Sequence, residues 1–170
     1  MKIDKTKIML AVLTIALCLT ACKQGGNKRT NPNEKLSAES SRDNLKDFYL
    51  KYVEAANSRD FETISNMIND DVVLKGKPSK KEESIAGFKQ VISTFPDHKW
   101  HIEDLFIDGD RIAVRLRNTG TPKKTTSFGK NPNEISVEYT EYASYKVVDG
   151  KFIEMWYLID DLGIREQLIK

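Results

Sequence analysis

The sequence predicts an α+β domain in which helices precede a run of antiparallel strands. Two observations carry that prediction. Between Leu45 and Ile92 the apolar side chains recur at spacings of three and four, whereas from His98 onward they alternate. The alternating segments are turned by Asp108-Gly109-Asp110 and Asp149-Gly150, which suits hairpins. Helices first and strands afterwards imply a curved sheet with helices covering one face.

The elements follow in order. Leu45, Phe48, Tyr49, Tyr52, Val53 and Ala56 form one apolar stripe, which predicts a long first helix. It stops at Asn57-Ser58-Arg59-Asp60, where Asp60 is placed to cap a short second helix with Phe61, Ile64, Met67 and Ile68 inward. Asp71 to Leu74 reads as a brief strand and Lys75 to Lys81 as a solvated basic loop. Ser79 and Glu82 have capping-box spacing ahead of a third amphipathic helix bearing Ile85, Phe88 and Ile92. Trp100 to Ile107 is a strand. In the next one Ile112, Val114 and Leu116 alternate with Arg111, Arg115 and Arg117, an apolar face backed by a charged one. A polar loop spans Thr119 to Asn133, then a long strand runs from Ile135 to Val148 and a last one from Phe152 to Ile159. Leu162 to Ile169 closes the chain with one or two helical turns.

Composition narrows the function classes. The chain has 170 residues, 39% hydrophobic and 31% charged, a globular balance with room for one ordinary domain. Of 27 Lys and Arg, three (Lys2, Lys5, Lys7) lie in residues 1–21, and of 25 Asp and Glu only Asp4 does, leaving 24 of each sign. A neutral domain has no electrostatic drive toward a polyanion, so no nucleic-acid partner is expected.

Residues 1–21 read as a targeting segment rather than as part of the fold. A basic start precedes an uncharged run from Ile8 to Leu19, too short for the roughly 20 residues of a spanning helix. Leu19-Thr20-Ala21-Cys22 resembles the lipobox of bacterial lipoprotein signals, in which the cysteine is acylated and the chain is cut before it. That resemblance implies lipid on Cys22, a membrane anchor, and a place in the bacterial cell envelope on the periplasmic or extracellular side. Cys18 then leaves with the signal, so the mature domain has no thiol for a disulfide, a thiolate metal site or a nucleophile. Residues 22–38, with Gly25-Gly26, Pro32 and few apolar side chains, are expected to be a flexible tether. The domain proper is expected over 39–170.

Several segments carry a family resemblance. Phe48-Tyr49, Asn57-x-x-Asp60 and Asp71-Val72-Val73 resemble the opening of nuclear-transport-factor-2-like domains. Phe95-Pro96-Asp97, Ile102-Glu103-Asp104-Leu105, Gly109 to Arg115, Asp149-Gly150-Lys151-Phe152-Ile153-Glu154-x-Trp156, Asp160-x-Leu162-Gly163 and Gln167-Leu168 resemble the SnoaL-like polyketide cyclase, or ester cyclase, branch. The resemblance implies a cone-shaped barrel, a bent sheet wrapped around a pocket closed by the first helix. It also implies homodimers and a cofactor-free aldol cyclisation in which one aspartate, matched by Asp160, shuttles a proton.

The residues offer few chemical groups. His98 and His101 stand three apart on a strand, point to opposite faces and read as surface or edge residues, so no metal site is expected. No glycine-rich phosphate loop is present, and no cofactor is expected. Carboxylates remain. Glu154, Trp156, Leu158 and Asp160 share one face by period 2, and if it looks into the cone Asp160 sits at the rim beside an indole. Its competing role is to cap the last helix; Asp161 is the register alternative. Glu141 lies in the row Val137, Tyr139, Glu141, Ala143, Tyr145, with a solvated orientation as its competing reading. Tyr49, Tyr52, Trp100, Tyr139 and Trp156 are candidate pocket rings. The function expected is capture of a small apolar or carbonyl compound, with catalysis left open between a carboxylate-driven cyclase or isomerase, pure binding, and a partner-docking module.

Overall fold

The computed structural model describes residues 32–169, with side chains from residue 39 onward. The expected signal segment, Cys22 and the first part of the tether lie outside the described residues. Helix α1 runs Pro32–Ser58, so helical backbone begins seven residues ahead of the expected domain start. The folded unit described below begins at Leu36.

Its apolar stripe buries Tyr49 completely and Tyr52, Val53, Ala55 and Ala56 nearly so. A residue in the left-handed region, Arg59 with φ 66°, breaks the helix, and Asp60 caps α2 (Phe61–Asn66) by accepting from the Thr63 amide at 2.9 Å. Strand β1 (Ile68–Leu74) then turns into β2 (Lys77–Lys80). The expected basic loop is therefore a hairpin, its corner made by Lys75 and Gly76 at φ 51° and 77°. Helix α3 (Lys81–Thr94) follows without a capping box: Lys80 is its N-cap and makes no side-chain cap bond, while the Ser79 hydroxyl lies 2.6 Å from Glu83.

Strands β3 (Lys99–Asp108), β4 (Arg111–Gly120), β7 (Val137–Val148) and β8 (Lys151–Ile159) form the body of a six-stranded sheet ordered β2-β1-β8-β7-β4-β3. The expected antiparallel run holds except at one seam, where β1 joins β8 in parallel. The polar loop folds in part into a separate hairpin, β5 (Thr125–Thr126) with β6 (Gly129–Lys130). Asn131 holds its base: it is buried and donates to the carbonyls of Pro122 and Ile135. Helix α4 (Asp161–Leu168) closes the chain.

The sheet is bent by register shifts, one between Ile102 and Asp104 on β3 and one on β8, where Ile153 is inserted between the Phe152 and Glu154 pairings. On the concave side α1 and α3 pack against the inner residues of β4, β7 and β8, including Ile112, Val114, Ala143, Tyr145, Phe152 and Met155.

Candidate functional site

A cavity of about 220 Å³ remains between the concave sheet and helices α1 and α3. The helical stripe supplies Tyr49, Tyr52, Val53 and Ala56; α3 supplies Phe88 and Val91; and Trp100, Tyr139, Tyr145, Met155 and Tyr157 come from the sheet. Phe95 and Phe128 also line it, their rings 5.6 Å apart. Trp100 is held by Asn57 at the end of α1, which accepts from the Trp100 amide and donates to its carbonyl, both at 2.9 Å.

Glu141 is the cavity's one ionisable carboxyl and is 8% exposed. Period-2 alternation on β7 turns it inward with Tyr139 and Tyr145, because the opposite residues of this strand, Glu138, Tyr142 and Ser144, face solvent. The Asn118 amide donates to it at 2.7 Å. Burial raises the Glu141 pKa above the ordinary carboxylate range, and the hydrogen bonds from Asn118 and Trp100 and the charge of Lys75 offset that rise only in part. Lys75 stands outside the cavity with its ammonium 3.8 Å from the centre of the Tyr157 ring. Burial also raises the phenols of Tyr49, Tyr52, Tyr139 and Tyr145, so all four stay protonated at neutral pH. No Lys, Arg or His lines the cavity among the described residues.

Tyr49, Tyr52, Trp100 and Tyr139 thus meet at one site with Glu141, for which the inward orientation and not the solvated one holds. The expected placement of Trp156 and Asp160 is corrected. Their shared face is the outer one, with Trp156 at 46% and Leu158 at 65% exposure. Asp160 caps α4, accepting from the Gly163 amide at 2.8 Å. A side chain at residue 163 would place its Cβ 2.3 Å from that carboxylate, so the cap requires glycine there. Asp161, the register alternative, is also exposed and pairs with Arg165 at 2.9 Å.

His98 is the residue the sequence reading missed. It is fully buried, its Nε2 lies 2.6 Å from the Tyr139 hydroxyl, and its ring packs 4.0 Å from that of Trp100. Burial, helped by the charge of Arg59, lowers its pKa to about 3, so it is neutral. A signal existed: His98 stands two residues before Trp100, one residue ahead of β3, and equal parity puts it on the same inner side as Trp100. Among the described residues no three His, Cys, Asp or Glu side chains cluster as metal ligands.

A family model described as SnoaL-like polyketide cyclase matches residues 46–168. A SnoaL-like polyketide cyclase from Agrobacterium tumefaciens is 27% identical in sequence, with a TM-score of 0.66, covering 73% of this chain and 97% of its own. Wild-type IdmH from Streptomyces antibioticus, a candidate polyketide cyclase, is 26% identical with a TM-score of 0.68, over 74% of this chain and 98% of its own. AclR from Streptomyces galilaeus, a candidate hydroxylase, shares the fold at 22% identity and a TM-score of 0.66, over 75% of this chain and 96% of its own. No curated protein matches the chain.

Proposed function

The chain belongs to the SnoaL-like polyketide cyclase family, and from that premise we propose that its cavity binds a small, uncharged carbonyl compound and exchanges a proton with it through Glu141. The observation that carries this reading is a buried carboxyl in a mostly apolar and aromatic wall whose other polar side chains, Ser84, Gln90, Thr94, Ser127 and the phenols, are uncharged, with no cation among the described lining residues. A ligand carboxylate or phosphate would meet Glu141 without a counter-charge, whereas a neutral ketone or ester loses little on desolvation. The carboxylate form of Glu141 takes a proton from the carbon next to the carbonyl, and the electron pair moves to the oxygen as an enolate. The carboxylic acid so formed returns the proton, either to carbon or, after the enolate carbon has attacked a second carbonyl, to the new alkoxide. A raised pKa suits both halves of this exchange near neutral pH.

The test uses 1-indanone, a ketone of suitable size, in deuterium oxide. Saturable binding with accelerated loss of its α-proton NMR signal is expected. Glu141→Gln should keep binding and slow the exchange by roughly 10²–10⁴-fold. Exchange unchanged in that variant would sink the acid/base role, and absence of saturable binding would sink the ligand class.

The basic start, the short apolar run and Leu19-Thr20-Ala21-Cys22 support lipid attachment at Cys22 and a tether to the envelope membrane. Cys22→Ser in the precursor should abolish palmitate labelling; a labelled, membrane-bound variant would refute it. The outer sheet face favours a second copy of this chain as partner. Phe106, Tyr142, Trp156 and Leu158 are 67%, 58%, 46% and 65% exposed, and the pairings Tyr142–Leu158 and Ser144–Trp156 make the apolar side chains of β7 and β8 contiguous. Arg111 and Arg115 beside Asp104 and Glu154 provide both signs of charge for a self-complementary contact. Sedimentation equilibrium should give a dimer that Trp156→Glu dissociates.

A further inference from the structure

Behind the cavity wall lie two polar pairs, His98 with Tyr139 and Asn118 with Glu141. Their donors and acceptors fix the direction of a hydrogen that the proton exchange through Glu141 does not use. His98 is enclosed, its Nε2 lies 2.6 Å from the Tyr139 hydroxyl, and its Nδ1 has no partner. With the ring neutral, one nitrogen carries the hydrogen. If Nδ1 carried it, a buried N–H would be left unpaired; if Nε2 does, only a lone pair is left over. Unpaired buried N–H groups are the rarer and costlier of the two. The hydrogen therefore belongs on Nε2, which donates to the Tyr139 oxygen.

Asn118 gives an amide hydrogen to Glu141 at 2.7 Å, and its Oδ1, the only acceptor it could offer a phenol, has no partner. The Tyr139 oxygen accepts from His98, so its own hydrogen is unspent, and Tyr139 lines the cavity.

We infer that the Tyr139 hydroxyl is a fixed hydrogen-bond donor to the carbonyl oxygen of the ligand, aimed by His98 as a positioning residue. This rests on the reading that a carbonyl compound occupies the cavity. Tyr139 and Glu141 are two residues apart on the same face of β7, about 7 Å along the strand. An oxygen held by Tyr139 leaves the adjacent carbon toward Glu141, and the negative charge that develops on that oxygen during proton removal meets a donor already in place. Tyr139 keeps its proton throughout, so the only proton moved is the one on Glu141.

The first experiment needs no ligand. The chain has two histidines, so long-range proton–nitrogen NMR on full-length protein labelled at histidine nitrogen gives two ring patterns, with His98→Gln assigning them by subtraction. Protonated Nε2 and bare Nδ1 on His98 are expected; protonated Nδ1 overturns the inference whether or not a ketone binds. The second experiment follows the infrared carbonyl stretch of carbon-13-labelled 1-indanone. It should move to lower frequency on binding and return in Tyr139→Phe, with Kd rising roughly five- to tenfold. His98→Leu should lose part of the shift and His98→Gln, which retains a donor, should regain it, while Glu141→Gln leaves it in place. A shift unchanged in Tyr139→Phe overturns the inference. If 1-indanone fails to bind the native protein, the ligand reading falls, and the tautomer still decides the direction of the Tyr139 hydroxyl.

Discussion

Strands β7 and β8 lie side by side, and each brings a carboxylate to the region where the sheet meets α4, yet the two acids end in opposite surroundings. Glu141 on β7 is buried in the cavity wall, where its charge is penalised; Asp160 at the end of β8 is exposed, where its charge holds a helix terminus. Both strands alternate, and the first inward residue of each is apolar, Val137 on β7 and Phe152 on β8. On β7 the alternation continues unbroken to Val147. On β8 Ile153 is inserted between the pairing of Val147 with Phe152 and that of Lys146 with Glu154. One extra residue flips every later side chain, so that Met155 and Tyr157 turn inward and Trp156, Leu158 and Asp160 turn out. Parity along a strand is a property of its pairing, and a single bulge is enough to exchange a candidate acid for a helix cap.

The largest effect expected on stability comes from the network behind β7. The folded-state pKa of His98 is lowered to about 3 against an ordinary value near 6.5, so the unfolded chain binds the proton first. Its contribution is complete above pH 6.5 and is lost as pH falls toward 3. Urea melts at pH 7 and pH 5 should show about 2 kcal/mol lost through this group. His98→Gln should have a flatter profile over that interval; an equally steep one would remove His98 from the comparison.

Glu141 should behave with the opposite sign. Its pKa is raised in the folded state, so the penalty is absent below the ordinary carboxylate value and grows as pH rises through the native one. Each unit of elevation is worth about 1.4 kcal/mol. Glu141→Gln should therefore gain on the native protein between pH 5 and pH 8. A variant that gains nothing would mean that Glu141 is as well solvated as Asp160.

Asp160→Ala tests the other strand. Loss of the cap should cost about 1 kcal/mol in chemical denaturation and leave 1-indanone affinity and exchange unchanged. If exchange collapses instead, β8 and not β7 carries the acid. The smallest effect belongs to Trp156→Ser, within about 0.5 kcal/mol for the monomer because an exposed indole has little packing to lose. Tyr157→Ser, one residue along and facing the cavity, should weaken 1-indanone binding; equal effects from the two would contradict the parity assigned to β8.

Much of this was legible in the residue pattern. The stripe on α1, the hairpin turns and the alternation on β4 and β7 are local signals with a fixed period. They were enough to define an α+β domain and to name Tyr49, Tyr52, Trp100 and Tyr139 as candidate pocket rings, whereas Glu141 stayed open between an inward and a solvated orientation. His98 was legible in principle through its parity with Trp100, but its pairing with Tyr139 joins residues 41 apart, and no local rule ranks a buried partner above solvent. The parity of β8 was out of reach, because a bulge is defined by the hydrogen bonds of the neighbouring strand and has no signature in Phe152-Ile153-Glu154 taken alone. The same holds for the raised Glu141 pKa: the sequence by itself supplied a carboxyl on an apolar row, and only the closure of α1 and α3 over the sheet removed its water.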